Sequence, residues 1–164
     1  MAEKVRGLTK AEIELLREVF GNMISYEKVR LRDGAGANVP ARIAFLNSKN
    51  WAMTFLNTIH FNAGHFHDDF ALVQNHQSLL VHEATHVWQY NKLGLIPFGL
   101  RYGKNFIACN FNQARLYDYK EAPHFSQATL EGQAQMVSHY YTKRKSPDGA
   151  ALREKLARTG FYGL

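Results

Sequence analysis

The residues His82-Glu83-Ala84-Thr85-His86 have the types and the spacing of a metal-dependent hydrolytic site. Two histidines four residues apart on a helix project from the same face, so both can bind one ion. Neutral imidazoles are good zinc ligands, and Glu83 is turned by about 100 degrees from His82, where it can reach a water beside the metal. Zinc makes such a water more acidic and Glu83 can accept its proton. The pattern predicts one Zn²⁺ per chain and hydrolysis of an amide bond.

The third zinc ligand has to come from outside this motif. A catalytic zinc usually has three protein ligands, and the residues three and six positions after His86 are Gln89 and Lys92 instead of the glycine and histidine of the extended motif. We prefer Glu131, because it lies inside a predicted helix whose small neighbours allow a close approach to the metal helix. The alternatives are Asp118, Glu121, His124, His139 and Glu154.

Two further roles are left open by the sequence. A donor to the developing oxyanion is required, and six residues flank the proposed third ligand: Tyr117, Tyr119, His124, His139, Tyr140 and Tyr141. A second histidine-rich segment, His65-Phe66-His67-Asp68-Asp69, is a candidate for a second ion together with His60 and His76.

Three helices are predicted from periodicity and from end signals. The segment 70–93 contains no Gly or Pro, and its apolar residues recur at spacings of three and four, which indicates a long buried helix ending at Gly94. A second long helix is predicted over 126–142, with Ser126 as its cap. The N-terminal helix over 9–20 begins with a capping box formed by Thr9 and Glu12.

The remaining chain is less regular. Rough alternation predicts neighbouring strands over 39–46 and 54–62, the second of which would present a sheet edge above the metal helix for an extended substrate. Pro97, Gly99 and Gly103 are expected to break the next stretch before a helix over 105–117. A short helix over 150–158 follows. The fold class is therefore α+β, mainly helical, with a small β-sheet packed over the metal-binding helix, and residues 1–164 form a single domain.

Composition and charge narrow the possible partners. The 164 residues are 46% hydrophobic, which supports one globular core, and no apolar stretch reaches the roughly 18 residues of a membrane span. The formal net charge is +6, but the basic residues are scattered apart from Lys143-Arg144-Lys145, so no nucleic-acid partner is expected. The N-terminus lacks the apolar region of a secretory signal peptide, which predicts synthesis in the cytoplasm without one.

Four segments carry a resemblance to a known family: LTKAEIELLREVFGNMISYEKVRL, TIHF with DDFA, LLVHEATHVWQY and LEGQAQMVSHYY, which together span residues 8–141. The chain resembles bacterial Vgr-related zincin-type metallopeptidase-like proteins, similar to the core metallopeptidase domain of contractile injection systems. The resemblance implies a zincin-like fold with zinc held by His82, His86 and Glu131 and with Glu83 as the general base. Gly132 stands where a glutamine is more usual, and a glycine inside a helix weakens it by up to about 1 kcal/mol.

Three functions remain open. The first is a zinc metallopeptidase acting on protein or peptide substrates, and the resemblance to proteins of type VI and related secretion implies export by that route from a bacterial cytoplasm. The second is a hydrolase of peptidoglycan cross-links, which the positive charge favours. The third is a non-catalytic zinc-binding module of a secretion apparatus, against which the intact Glu83 argues.

Overall fold

The computed structural model describes residues 4–46 and 50–164, which form mainly helices beside one small sheet. The helices are α1 (Lys10–Phe20), α2 (Val39–Phe45), α3 (Gln74–Leu93), α4 (Leu95–Ala108), α5 (Gln113–Tyr117), α6 (Leu130–Lys143) and α7 (Gly149–Leu156). The strands are β1 (Val5–Arg6), β2 (Arg30–Asp33), β3 (Ala52–Phe55) and β4 (Thr58–Phe61). The predicted α+β class, mainly helical, is confirmed.

The sheet is mixed and has the order β1-β2-β4-β3. β1 and β2 are antiparallel, β2 and β4 are parallel, and β3 and β4 form an antiparallel hairpin. The predicted strand over 54–62 is thus two strands joined by a tight turn at Leu56, whose φ is 55°. β3 lies at the edge of the sheet and packs against α3. The strands β1 and β2 were not predicted.

The predicted strand over 39–46 is wrong, because residues 39–45 form α2. The side chain of Asn38 accepts a hydrogen bond from the backbone N–H of Ala41 at 2.8 Å, and Pro40 lies in the first turn. An Asn cap followed by an early proline is a helix-start signal, and it outweighs the apolar alternation of the segment.

The core forms where α3 packs along α6. Leu80, Val81 and Val87 of α3 and Val137 of α6 are fully buried. α3 ends at Gly94 as predicted but begins at Gln74, after a single 3₁₀ turn over Phe70–Leu72. α6 begins after Thr129, whose hydroxyl accepts a hydrogen bond from the Gly132 N–H at 2.9 Å, so Ser126 is not its cap.

The helix α4 runs through the predicted break at Pro97, Gly99 and Gly103. Pro97 is the third residue of the helix, where its missing N–H removes no intrahelical hydrogen bond. The predicted helix over 105–117 is instead the end of α4 and a separate α5. Asn110 and Phe111 interrupt it with φ values of 52° and 57°.

A buried carboxylate holds the N-terminal elements together. Glu12 has no solvent-exposed surface, and both of its oxygens accept hydrogen bonds at 2.7 Å from the guanidinium of Arg6 in β1. The same carboxylate accepts the N–H of Thr9 at 2.8 Å, which completes the predicted capping box of α1. It also accepts the N–H of Phe70 at 2.8 Å. None of the helices formed by 4–46 and 50–164 combines the length and apolar character needed to cross a membrane.

Candidate metal centre

Two helices bring His82, His86 and Glu131 together. His82 and His86 lie one turn apart on α3, and Glu131 projects from the first turn of α6. The Oε2 atom of Glu131 is 3.2 Å from His82 Nε2 and 3.1 Å from His86 Nε2. All three side chains are buried, and their possible ligand atoms lie within 4.8 Å of one another, so the group could hold a metal ion. No other set of three such residues meets this criterion in the described ranges.

A chain of buried amides fixes the orientation of the His86 ring. Gln133 Nε2 donates to the Ala128 carbonyl at 3.3 Å, which leaves Gln133 Oε1 to accept from Gln89 Nε2 at 3.0 Å. Gln89 Nε2 also lies 3.0 Å from the Leu130 carbonyl, so Gln89 Oε1 faces His86 Nδ1 at 2.8 Å. His86 therefore carries a proton on Nδ1 and directs Nε2 toward Glu131.

The charges of His86 and Glu131 stabilise each other. Burial disfavours the charged form of each group, but the attraction and the hydrogen bond between them outweigh it. The pKa of His86 is raised above its usual value and the pKa of Glu131 is held well below its own. In the metal-free protein His86 and Glu131 therefore form a buried ion pair, with Nε2 and Oε2 3.1 Å apart.

Glu83 lies beside this group without belonging to it. Its carboxylate Oε2 accepts a hydrogen bond from the Thr54 hydroxyl at 2.7 Å, and both residues are buried. Thr54 belongs to β3, so this bond ties the edge strand to the helix that carries both histidines. The carboxylate is consequently positioned by the sheet as well as by its own helix.

A cavity of about 750 Å³ opens onto the centre. Its lining includes Thr54, Glu83, His86 and Glu131, together with three tyrosines, two of which contact the metal group. The Tyr102 hydroxyl donates to Glu131 Oε1 at 3.2 Å, and the Tyr117 ring stacks on the His82 ring with a centroid distance of 5.8 Å. Burial and then the Glu131 charge raise the pKa of both phenols, so both stay protonated as hydrogen-bond donors.

The other candidates for the third ligand lie outside the metal group. His139 Nδ1 is 2.7 Å from the Tyr119 hydroxyl, and its Nε2 is 2.6 Å from Gln135 Nε2. The remaining candidates are solvent-exposed: Asp118, Glu121, His124 and Glu154. Of the six candidate oxyanion donors, Tyr117 alone lines this cavity among the described residues.

The second histidine-rich segment forms a different cluster, which we call the surface histidine cluster: His65, His67 and His76. His67 Nε2 is 2.7 Å from His76 Nδ1, so one of these rings donates to the other. His65 stacks on Trp51 with a centroid distance of 4.6 Å. The described residues place no three-ligand group here for the predicted second ion.

The close approach of α6 depends on Gly132, which follows Glu131. A Cβ atom at this position would lie 2.9 Å from Thr129 Oγ1, 3.4 Å from Ala128 Cβ and 3.5 Å from the Leu116 carbonyl oxygen. The Thr129 hydroxyl donates to that same carbonyl. The glycine that the sequence analysis expected to weaken the helix is therefore required by its packing.

Four residues of the site were missed from the sequence: Thr54, Gln89, Tyr102 and Gln133. Gln89 follows His86 by three residues and therefore shares its helix face, and Gln133 lies in the same helix as Glu131. A buried glutamine needs hydrogen-bond partners, so Gln89 on the face of His86 was a usable signal. Thr54 and Tyr102 gave no such signal, because only the tertiary fold brings them to the cavity.

Comparison with known proteins identifies a family and a related protein. The eCIS core domain family matches residues 10–94, more than half of the chain. The chain belongs to the eCIS core domain family. It is 29% identical over 167 residues to the type VI secretion system spike protein VgrG2b of Pseudomonas aeruginosa, covering 95% of this chain and 15% of that protein. The solved effector domain of P. aeruginosa VgrG2b is similar with a TM-score of 0.68 at 26% identity, covering 93% of this chain and 82% of that one.

Proposed function

We propose that this eCIS core domain protein is a zinc-dependent metallopeptidase with a zincin-like fold, and that it acts as a type VI secretion effector. The convergence of His82, His86 and Glu131 on one buried point, with Glu83 beside it in the same cavity, carries the proposal. The names of the relatives, a secretion spike protein and its effector domain, support the secretion role. Synthesis in the bacterial cytoplasm followed by type VI export is part of this proposal.

The donor set fits zinc. Two imidazole nitrogens and one carboxylate oxygen are ligands that catalytic zinc sites use, with a further position left for water or substrate. The amide chain ending at Gln89 keeps the proton of His86 on Nδ1, so a neutral His86 presents a lone pair at Nε2 toward Glu131 Oε2. In the metal-free protein the Nε2 proton of charged His86 fills the space between these atoms, and zinc bound by His82, His86 and Glu131 would replace it.

Each remaining step of hydrolysis has a candidate residue in the cavity. When bound, zinc supplies Lewis-acid polarisation of the substrate carbonyl and a more acidic water. Glu83 accepts the proton of the attacking water and later delivers it to the leaving amine, while the Thr54 hydroxyl holds its carboxylate in place. Tyr117 stays protonated and is the donor available to the developing oxyanion, whereas the Tyr102 hydroxyl donates to Glu131 Oε1. The edge strand β3 lines the cavity and can pair with an extended substrate backbone.

The test combines metal analysis with two substrate assays on the purified protein. We expect one zinc per chain and cleavage of casein or of a peptide library. Clearing of purified sacculi without cleavage of casein would instead indicate a peptidoglycan hydrolase, which the net charge of +6 favours as the second candidate. Stoichiometric zinc with neither activity would identify a non-catalytic zinc-binding module.

A further inference from the structure

One face of α4 forms a wall of the cavity. Gly99, Tyr102, Gly103 and Phe106 all line it, and their positions at i, i+3, i+4 and i+7 place them on one side of the helix. Tyr102 reaches the centre through its hydrogen bond to Glu131. The two glycines therefore lie on the wall next to a residue that contacts the metal group.

Neither the backbone nor the packing of α4 requires these glycines. Their φ values are not positive, and a Cβ atom at either position would meet nothing within 4 Å. A glycine inside a helix is less favourable than alanine by roughly 0.8–1.0 kcal/mol, and α4 contains two of them. Gly132 differs, because a Cβ there would collide with Thr129. What Gly99 and Gly103 provide is open space on the cavity side of the helix.

The surroundings of that space are apolar and largely uncharged. The walls of the cavity include Ile43, Met53, Phe98, Phe106 and Phe111. The ionisable carboxylate and imidazole groups among the described lining residues all lie at the metal end, and no lysine or arginine of residues 4–46 and 50–164 lines the cavity. A charged substrate side chain would lose its hydration here without gaining a partner, whereas a large apolar one would gain by burial.

We propose that Gly99 and Gly103 open a pocket for a large apolar side chain, such as Leu, Met or Phe, that flanks the substrate bond to be cut. This proposal rests on the proposed function, because the position of the pocket beside the metal group determines which substrate side chain enters the pocket. The two glycines act as specificity-determining residues: a side chain at either position occupies the space that the substrate side chain needs.

The experiment measures binding as well as cleavage. Peptide hydroxamates that share one backbone and carry an Ala, Leu, Phe, Lys or Asp side chain are titrated by calorimetry into the full chain loaded with zinc. The variants are Gly99→Leu and Gly103→Leu, with Gly103→Ala as the smaller change. Ala108→Leu is the matched control, because it places the same side chain at an exposed position of α4 that does not line the cavity. Leucine is a good helix former, so α4 should fold in each variant.

We expect the parent protein to bind the Leu and Phe hydroxamates about 10- to 100-fold more tightly than the Ala, Lys and Asp compounds, as burial of one large apolar side chain predicts. Gly103→Leu and Gly99→Leu should remove this preference while Ala-hydroxamate binding persists, Gly103→Ala should reduce it in part, and Ala108→Leu should keep it. A parent protein that binds zinc without this preference overturns the pocket, and so does a preference that survives both leucine variants.

The two proposals can fail separately. Selective hydroxamate binding by a zinc-loaded protein that cleaves no peptide would refute the peptidase and keep the pocket. Cleavage of peptides with no preference for apolar residues beside the cut bond would refute the pocket and keep the peptidase. Failure to bind zinc would refute both.

Discussion

The described residues contain two groups of neighbouring histidines, and only one of them belongs to a three-residue group that could hold a metal ion. In the surface histidine cluster, His67 and His76 satisfy each other with a hydrogen bond of 2.7 Å. At the metal centre, His82 and His86 instead share the carboxylate of Glu131, and Gln89 fixes the ring of His86. The number of neighbouring histidines therefore does not by itself produce a group with metal-ligand geometry. A buried carboxylate opposite the rings and an amide behind one of them make the difference.

The largest effect is expected from removing the carboxylate that distinguishes the two groups. Glu131→Ala should lose most of the bound zinc and all hydrolysis, because the histidines lose their shared acidic partner. Zinc content after dialysis and casein cleavage measure this. The matched control is His139→Ala, which lies on the same helix and hydrogen-bonds to Tyr119, and it should retain the metal. Loss of zinc in His139→Ala with retention in Glu131→Ala would contradict the assignment of the third ligand.

The next effect separates metal binding from proton transfer. Glu83→Gln should keep a full complement of zinc and lose activity by on the order of 100-fold or more, because the residue accepts a proton and is not a ligand. Glutamine keeps the size of the side chain and can still accept from Thr54. Steady-state rates should be compared at equal zinc content. A zinc-loaded Glu83→Gln protein that hydrolyses at the parent rate would refute the mechanism.

A smaller effect is expected from the amide behind His86. Gln89→Leu removes the acceptor of the Nδ1 proton and should weaken zinc affinity by about 10- to 100-fold, as is typical for residues that orient a metal ligand. Competition with a chromogenic chelator measures the affinity. Gln89→Glu restores an acceptor and should recover part of it. Equal affinity in the leucine variant would show that the network does not orient His86.

In metal-free protein, the histidine pKa values of the two groups should be shifted in opposite directions. Burial opposes the charged form of His86, but the attraction of Glu131 outweighs burial and raises the pKa of His86 above 6.5. The contribution of charged His86 to folding stability is therefore complete below pH 6.5 and is lost as the pH rises through the raised pKa. Burial and then the neighbouring His76 lower the pKa of His67 below 6.5, so stability is lost as the pH falls through that range. Ring-proton NMR checks both, and a His67 pKa above that of His86 would contradict this contrast.

Local signals in the sequence predicted part of the fold, and tertiary contacts decided the rest. The capping box at Thr9 and the stop at Gly94 were predictable, because both signals act within one helical turn. The segment 39–45 was assigned to a strand because its apolar alternation was given more weight than Asn38 and Pro40. The strand β2 was missed, since its four residues form a strand only by pairing with β1 and β4.

The site was predictable only where spacing fixes geometry. His82, Glu83 and His86 follow from residue types at a helical spacing, and Glu131 could be preferred from the small residues of its helix. The contact of Tyr102 with Glu131 could not be predicted, because α4 was expected to break at Pro97. Thr54 was assigned to a strand, but its bond to Glu83 depends on how the hairpin packs on α3.

The buried carboxylate of Glu12 has a consequence for where this chain can be cut. The family match begins at residue 10 and ends at 94, so a fragment with those limits would contain Glu12 without Arg6. Removing the charged partner of a buried ion pair destabilises a protein by about 3–5 kcal/mol, a large part of a typical folding free energy. The same fragment would also end before α6 supplies Glu131. The recognisable segment is consequently shorter than the unit that must fold together, and expression boundaries should start before Val5 and extend beyond Lys143.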